Sequence, residues 1–325
     1  MRGIVNFSGR HLVGLSLLLP VVAIAQSYPI KPVRIVVPFA AGGGVDNVAR
    51  AFAQKFSESW NQPVIIDNRP GAGTINGADF VAKAAPDGYT LLASSASLAT
   101  TAVLFRKLPF DPLKDFAPVT QLVATQLLFA MNPKVPANNV LELLALARAQ
   151  PGKLNFGSSG VGSGPHLMLE MLKMESGIDV VHVPYKGDAP LMPALLAGDI
   201  HLGFITASAV LPHTKAGRLR ALASSGRARI GAAPDLVTMM EAGVPGFEFE
   251  SWIGLFAPAG APREILATVS TEASRALKQV DIVARLPSWG GEAVGSTPEA
   301  FAVRYRGDIA KLAKVVSVAR IPPAD

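Results

Sequence analysis

Two stretches of the chain share one order of elements: a short apolar strand, a glycine-rich loop and an amphipathic helix. The first begins with the apolar, largely β-branched run Val33–Val37, which predicts a strand buried on both faces. Three glycines follow at 42–44, and apolar residues then recur at helical spacing over 45–56, which predicts a helix packed on that strand. The second stretch has a predicted strand at 154–156, followed by the loop GSSGVGSGPH at 157–166 and another helix.

Predicted strands and helices alternate along most of the remaining chain. Further strands are predicted, with helices between most of them, at 64–68, 90–94, 180–183, 200–206 and 220–224. Such alternation favours an α/β fold with mostly parallel sheets, helices on both faces, and ligands beyond the carboxyl ends of the strands.

Two segments break this alternation. The pattern over residues 116–131 predicts two extended segments joined without a helix. Such a connection can lead the chain from one domain into another. The apolar run WIGLFA at 252–257 predicts a strand that returns to the first domain. The expected domains are therefore residues 26–128 together with 249–325, and residues 129–248.

The two glycine-rich loops suggest a site for an anion. Glycines allow the backbone to approach a ligand closely, and the unpaired N–H groups of a helix start favour phosphate or carboxylate. One loop from each domain can thus hold a small anion between them. The alternative is that the glycines only permit tight turns and that Asp46 only caps its helix.

Hydroxyl groups cluster at the predicted strand ends. Such small donors suit a carboxylate, although loop or cap roles are equally compatible with their positions. The candidates are Ser94, Ser95, Ser97, Ser158, Ser159, Ser163 and Thr206. His166 and Tyr185 are further candidates, as a ligand-orienting group and a cleft-lining ring, while Lys186 and His166 also fit ordinary surface positions.

The N-terminal segment predicts secretion. Arg2 and Arg10 precede an apolar stretch at 12–24, and Ala23-Ile24-Ala25 supplies the small residues that signal peptidase requires. We therefore expect residues 1–25 to be a signal peptide cleaved after Ala25, and the mature protein to be periplasmic. Removing the two arginines changes the formal net charge from +6 to 6 − 2 = +4. The chain has no cysteine, so it can form neither a disulfide nor a cysteine-linked lipid anchor.

Several classes of function lack their sequence signatures. No nucleotide-binding glycine motif and no GxSxG nucleophile elbow occur, and no run of basic residues with aromatics predicts nucleic-acid binding. His182, His201 and His213 lack spaced partner ligands, so neither a metal nor a cofactor is expected. A secreted hydrolase using a serine and His166 is the least favoured alternative.

Five segments, in this order, together resemble the Bug-type periplasmic receptors of tripartite tricarboxylate transporters. They are YPIKPVRIVVPFAAGGGVDNVAR at 28–50, NRPGAGTINGADFVAKAAPDGYTLL at 68–92, GKLNFGSSGVGSGPHL at 152–167, VPYKGDAP at 183–190 and WIGLFAPAGAP at 252–262. The resemblance spans essentially the whole mature chain.

This resemblance implies a two-lobed, type II periplasmic-binding-protein fold, in which each lobe is a mixed, mostly parallel sheet flanked by helices. It implies a monomeric receptor, not an enzyme, that closes on a small organic carboxylate and delivers it to a two-component membrane permease. Carried over to this sequence, the pocket positions are Phe39, Ala41, Gly42, Ser94, Ser95, Ser158, Ser159, Gly160, Ser163, His166, Tyr185 and Thr206.

Two departures from the family pattern leave the ligand open. Asp188 follows YKG where the family usually has a small residue, and the acidic side chain either changes the ligand preference or faces water. The segment GFITAS at 203–208 also differs from the usual family sequence. A sensing role instead of transport fits the same residues equally well.

Overall fold

The computed structural model describes residues 1, 3, 28–318 and 320–324 of the 325-residue chain. The predicted signal peptide, residues 1–25, lies outside the described residues except for positions 1 and 3. Within the described residues, none of the helices combines the length and the apolar character needed to cross a membrane.

Eleven strands and ten α-helices occur in the described part of the chain. The strands are β1 (Val33–Val37), β2 (Val64–Asn68), β3 (Thr90–Ser95), β4 (Phe116–Thr125), β5 (Leu127–Met131), β6 (Asn155–Ser158), β7 (Val181–Pro184), β8 (Leu202–Thr206), β9 (Arg220–Ser224), β10 (Ser251–Pro258) and β11 (Gly291–Ala293). The helices are α1 (Gly44–Trp60), α2 (Ile75–Ala82), α3 (Ser97–Leu104), α4 (Val140–Ala149), α5 (Gly164–Ser176), α6 (Asp188–Ala197), α7 (Ala207–Lys215), α8 (Arg263–Ala276), α9 (Val280–Arg285) and α10 (Pro298–Val318). Short 3₁₀ helices cover Ala72–Thr74 and Pro287–Trp289.

The strands form two mixed sheets with the same arrangement. The first has the order β11-β4-β10-β3-β1-β2, and the second has the order β7-β6-β8-β5-β9. In the first sheet β1 pairs in parallel with β2 and β3, whereas β10 runs antiparallel between β3 and β4. In the second sheet β5 alone runs against its neighbours. Most strands of each sheet thus share one direction, which confirms the predicted α/β class with two lobes.

The chain passes between the sheets next to Gln126 and again before β10. β4 ends in the first sheet at Thr125, and β5 begins in the second sheet at Leu127, without a helix between them. β10 then returns to the first sheet, as its apolar sequence predicts. The predicted boundary between residues 128 and 129 falls inside β5, and the division of the chain into lobes at that residue stays a prediction.

A buried serine joins the two passages. Ser225 Oγ accepts a hydrogen bond of 3.0 Å from Leu127 N and donates one of 2.8 Å to Phe249 O. The side chain of Gln126 in turn accepts from Gly226 N and donates to Ala228 O. Backbone hydrogen bonds from Ser225 N to Leu127 O and from Phe249 N to Ser225 O add to these side-chain contacts, so the connecting segments are held together by both.

The helix predicted after the first glycine loop is present and packs as expected. Val48, Phe52 and Phe56 on one face of α1 are completely buried, in the same cluster as Ile35 of β1. This burial, with the 3.6-residue spacing, is what fixes the start of α1 beside the end of β1.

Three elements differ from the sequence predictions. α3 was not anticipated, because its residues SLATTAVL lack an amphipathic pattern and are buried nearly all round. β11 is too short to leave a pattern. The strand at 180–183 was expected to be buried, but β7 is the edge strand of its sheet and Val181 is exposed.

Candidate functional site

A cavity lies between the two lobes at the carboxyl ends of their strands. It has an empty volume of about 520 Å³, which includes some open solvent. Its lining comes from both lobes and from the connecting strands and consists of Phe39, Gly43, Gly44, Val45, Ser95, Ser97, Thr125, Leu127, Ser159, Gly164, Pro165, Asp188, Thr206, Ser251 and Ile253.

The starts of five helices meet at this cavity. Its lining includes the first residues of α1, α3, α5 and α6, and Thr206, which directly precedes α7. The N–H groups of a helix's first turn have no partner within the helix, and the helix dipole makes this end positive. Because no lysine or arginine among the described residues lines the cavity, the positive potential there comes from backbone groups.

The lobes touch each other around the cavity. Ala40 N donates a hydrogen bond of 3.0 Å to Lys186 O, and Gly164 N donates one of 3.0 Å to Ser97 Oγ. In both cases one partner belongs to the segment of the first sheet and the other to that of the second. The structure is therefore the closed arrangement of the two lobes.

Gly44 allows this closure because it has no side chain. A Cβ at this position would overlap the side chain of Thr206 from the other lobe. The backbone of Gly44 is helical, so an alanine would suit α1 itself. The conflict would arise only between the lobes.

Asp46 holds the first glycine loop from outside the cavity. Its carboxylate accepts hydrogen bonds from Gly42 N, the Arg50 side chain and Asn68 Nδ2, at 2.8, 2.8 and 2.9 Å. Burial by itself would raise the pKa of Asp46, but these hydrogen bonds keep it below the ordinary value. Asp46 thus ties the loop to α1 and to the end of β2, while the N-cap Gly43 has no side-chain hydrogen bond.

Ser158 and His182 form a buried pair beside the second loop. Ser158 is completely buried, and its Oγ lies 2.7 Å from His182 Nε2 and 3.1 Å from Gly160 N. His182 stacks on His166, with ring centroids 4.3 Å apart. Burial lowers the pKa of His166, and burial with the neighbouring His166 and Lys173 lowers the pKa of His182 to about 4. Both rings are neutral near pH 7.

The ring of His166 is held by the backbone of the loop. His166, the base that the hydrolase alternative names, accepts a hydrogen bond from Gly162 N instead of contacting a serine hydroxyl. Ser158 is not among the residues that line the cavity. The two stacked histidine rings pack beside the loop.

Ser159, the next residue, points elsewhere. It lines the central cavity and also a second pocket, together with Gly160 and Tyr185. Within the described residues its hydroxyl has no hydrogen-bond partner. Ser159 therefore has a free hydroxyl in the lining of the central cavity.

Asp188 is the one ionisable side chain in the described cavity lining. Its Oδ2 accepts hydrogen bonds of 2.7 Å from Thr206 Oγ1 and 3.3 Å from Thr206 N. Only 8% of the residue is exposed. Burial raises the pKa of Asp188, and the hydrogen bonds from Thr206 oppose this shift.

Comparison with known proteins identifies the family to which this site belongs. A sequence profile described as "Tripartite tricarboxylate transporter family receptor" matches residues 48–312. The chain belongs to this receptor family. It is 35% identical to protein BugT of Bordetella pertussis over 277 residues, which cover 85% of each chain.

Two solved structures of similar proteins contain a ligand. The receptor is 34% identical to R. palustris Rpa4515 with adipate, with a TM-score of 0.87 and coverage of 91% of this chain and 100% of that one. It is 32% identical to MatC (Rpa3494) from Rhodopseudomonas palustris with bound malate, with a TM-score of 0.86 and coverage of 89% and 100%.

The predicted ligand-binding residues fall into three groups in this receptor. Phe39, Ser95, Ser159 and Thr206 line the central cavity. Gly160 and Tyr185 line the second pocket, as does Ser159. Neither lining includes Ala41, Gly42, Ser94, Ser158, Ser163 or His166. Ligand binding by any of the twelve stays a prediction.

The positions of three predicted residues outside the cavity can be explained locally. Ser163 is the N-cap of α5, where its Oγ accepts from His166 N and donates to Gly160 O. Ala41 and Gly42 are exposed on the outer side of the first loop, and it is Gly43 and Gly44 that face inward.

Several lining residues escaped the sequence reasoning. Three of them, Gly43, Gly44 and Gly164, lie in the two glycine-rich loops. The sequence therefore predicted the loops correctly but not which of their residues line the cavity. Thr125, Leu127, Ser251 and Ile253 come from the connecting strands and carry no local motif. Among the described residues no group of three or more His, Asp or Glu side chains is placed to hold a metal.

Proposed function

We propose that this protein is a periplasmic receptor that binds a small organic carboxylate between its lobes and delivers it to a two-component permease of the tripartite tricarboxylate type. The observation that carries the proposal is the meeting of five helix starts at one cavity between the lobes. Backbone N–H groups and hydroxyls there suit a carboxylate without a basic side chain. The two related proteins with adipate and malate support this ligand class.

Closure explains how the binding signal would reach the membrane. The solute contacts both lobes only when they are together, so it shifts the population towards the closed form. We propose that Phe39, Ser95, Ser159 and Thr206 contact the solute from this lining. The permease would recognise the closed surface.

A thermal-shift experiment tests the binding half of the proposal. The protein from Gln26 onward is freed of ligand by unfolding and refolding, then heated with mono-, di- and tricarboxylates, amino acids and neutral sugars. A solute that binds only the folded state raises the melting temperature in proportion to the logarithm of its concentration above Kd. A rise with one carboxylate-bearing class supports the proposal, whereas a rise with sugars alone contradicts it.

Two further measurements test location and delivery. Mass spectrometry of the periplasmic fraction should find a chain that begins at Gln26, and light scattering should give the mass of a monomer. Deletion of the gene should abolish uptake of the solute found above. Normal uptake with a lost transcriptional response to that solute would instead support the sensing role and contradict delivery.

A further inference from the structure

A buried carboxylate faces the cavity without a counter-charge. Asp188 is 8% exposed and lines the cavity, and its Oδ2 is held by both donors of Thr206. Its other oxygen, Oδ1, has no hydrogen bond within the described residues. Asp188 also makes no ion pair there, and the preceding Lys186 is exposed.

The rest of the described cavity lining offers Asp188 no charged side chain as a partner. The other lining residues are apolar, glycine or hydroxyl-bearing, so no second titratable side chain reaches the same space. Burying a carboxylate without a counter-charge is costly, and burial accordingly raises the pKa of Asp188. A ligand that supplies a cation at Oδ1 would remove this cost.

We propose that Asp188 accepts a hydrogen bond from a protonated amine of the solute, so that the receptor selects aminocarboxylates over dicarboxylates. This inference rests on the proposed function, since it names the solute class for the same cavity. The carboxylate of a zwitterion lies at the helix starts, and its ammonium group lies at Asp188. A dicarboxylate would instead place a second negative charge beside Asp188 in a space that excludes most water, where like charges repel strongly.

Three residues of this arrangement have separate roles. Asp188 touches the solute, Thr206 fixes the Asp188 carboxylate by donating to Oδ2, and Ser159 offers a free hydroxyl elsewhere in the lining. A rival arrangement has Asp188 protonated, donating from Oδ1 to a second carboxylate of the solute. The pH dependence of affinity separates the two, because they require opposite protonation states of one group.

Matched ligand pairs provide the test. The ligand-free protein is titrated by calorimetry with adipate against 5-aminopentanoate and with succinate against β-alanine, pairs that differ by an ammonium in place of one carboxylate. We expect the aminocarboxylate of at least one pair to bind about 30-fold more tightly, the lower range for a buried charge pair. Its affinity should fall as the pH is lowered and Asp188 takes up a proton.

The variant Asp188→Asn keeps the side-chain volume and removes the charge. It should lose the preference for the aminocarboxylate, and Asp188→Ser provides the same comparison if the asparagine variant folds poorly. Asp235→Asn, at an exposed position, is the matched control for a change of one charge. It should bind as the wild type does.

The outcomes distinguish failure of the inference about Asp188 from failure of the proposed carboxylate-receptor function. Dicarboxylate binding that is tighter in the wild type, and that strengthens as the pH falls, overturns the inference and leaves the carboxylate receptor in place. If Asp188→Asn keeps the preference for the aminocarboxylate, the inference is likewise overturned and the proposed carboxylate receptor is left in place. Failure of the wild type to bind either class overturns the proposed function and the inference with it.

Discussion

Asp188 and Thr206 are joined by two hydrogen bonds at the point where two helices of the second lobe begin. Thr206 Oγ1 and Thr206 N both donate to Asp188 Oδ2, at 2.7 and 3.3 Å. Asp188 is the first residue of α6, and Thr206 is the last residue of β8, directly before α7. The strand end therefore fixes the carboxylate of the neighbouring helix and turns its other oxygen towards the cavity.

Replacing Thr206 by valine tests this relationship. Thr206→Val keeps the shape that packs near Gly44 and removes the hydroxyl donor, so the Asp188 carboxylate loses its shorter hydrogen bond. Hydrogen bonds to charged groups contribute about 1.5–3 kcal/mol, so we expect solute affinity to fall about tenfold or more. Thr206→Ser, which keeps the hydroxyl, should bind nearly as the wild type in the same calorimetric titration. Equal affinity of all three proteins would contradict the positioning role.

The adjacent serines of the second loop should respond differently to the same change. Ser159 has a free hydroxyl in the cavity lining, so Ser159→Ala should weaken solute binding about fivefold and leave the free energy of unfolding nearly unchanged. Ser158 is fully buried against His182 and Gly160, so Ser158→Ala should lower the free energy of unfolding by about 1–2 kcal/mol. Urea unfolding and calorimetry on both variants check this. The reverse assignment of the two effects would show that Ser158 is the ligand contact.

The sequence predicted the elements well where periodicity or composition is strong. The amphipathic pattern over 45–56 predicted α1 correctly. The apolar run at 252–257 predicted β10 and its return to the first sheet. α3 left no such pattern, since a helix buried on nearly all sides has no polar face to set against an apolar one.

The candidate site was predictable as loops but not as individual side chains. The glycine-rich loops do meet at the cavity, yet which glycine faces inward depends on where the helix begins, and Gly43 rather than Gly42 is the N-cap of α1. Asp188 stood out as an unusual residue, but its hydrogen-bond donor is Thr206, 18 positions away in sequence. Such a contact is fixed by the pairing of strands and helices, which no local pattern reveals.

The paired histidines predict a pH dependence of stability. The folded-state pKa of His182 is about 4, below its ordinary value of 6.5, so between these values the unfolded chain binds a proton that the native protein does not. The free energy of unfolding should therefore fall as the pH is lowered from 6.5 to 4. Because His182 is only half-buried, solvent screening limits its contribution to about 2 kcal/mol.

The variant His182→Gln isolates this contribution. Urea unfolding gives the free energy of unfolding of the wild type and of the variant at pH 7 and at pH 4.5. From pH 7 to pH 4.5 this free energy should fall more in the wild type than in the variant. Asp188 and the surface carboxylates titrate alike in both proteins and so cancel in the comparison. His166 stacks on the replaced ring and also has a lowered pKa, so part of the pH dependence should remain in the variant. An identical loss in the two proteins would contradict the pKa assigned to His182.

Closure of the lobes should depend on the missing side chain of Gly44. In Gly44→Ala the added methyl overlaps Thr206 in the closed form only, so the lobes should remain folded but should fail to close fully. Overpacking of this kind costs about 1–3 kcal/mol, which predicts solute affinity about 10- to 100-fold weaker. Small-angle scattering should show that saturating solute shrinks the wild type more than the variant. Gly307→Ala, in the middle of α10 with open space around it, is the matched control and should close and bind normally. Wild-type compaction and affinity in Gly44→Ala would mean that the approach of α1 to Thr206 is not required for binding.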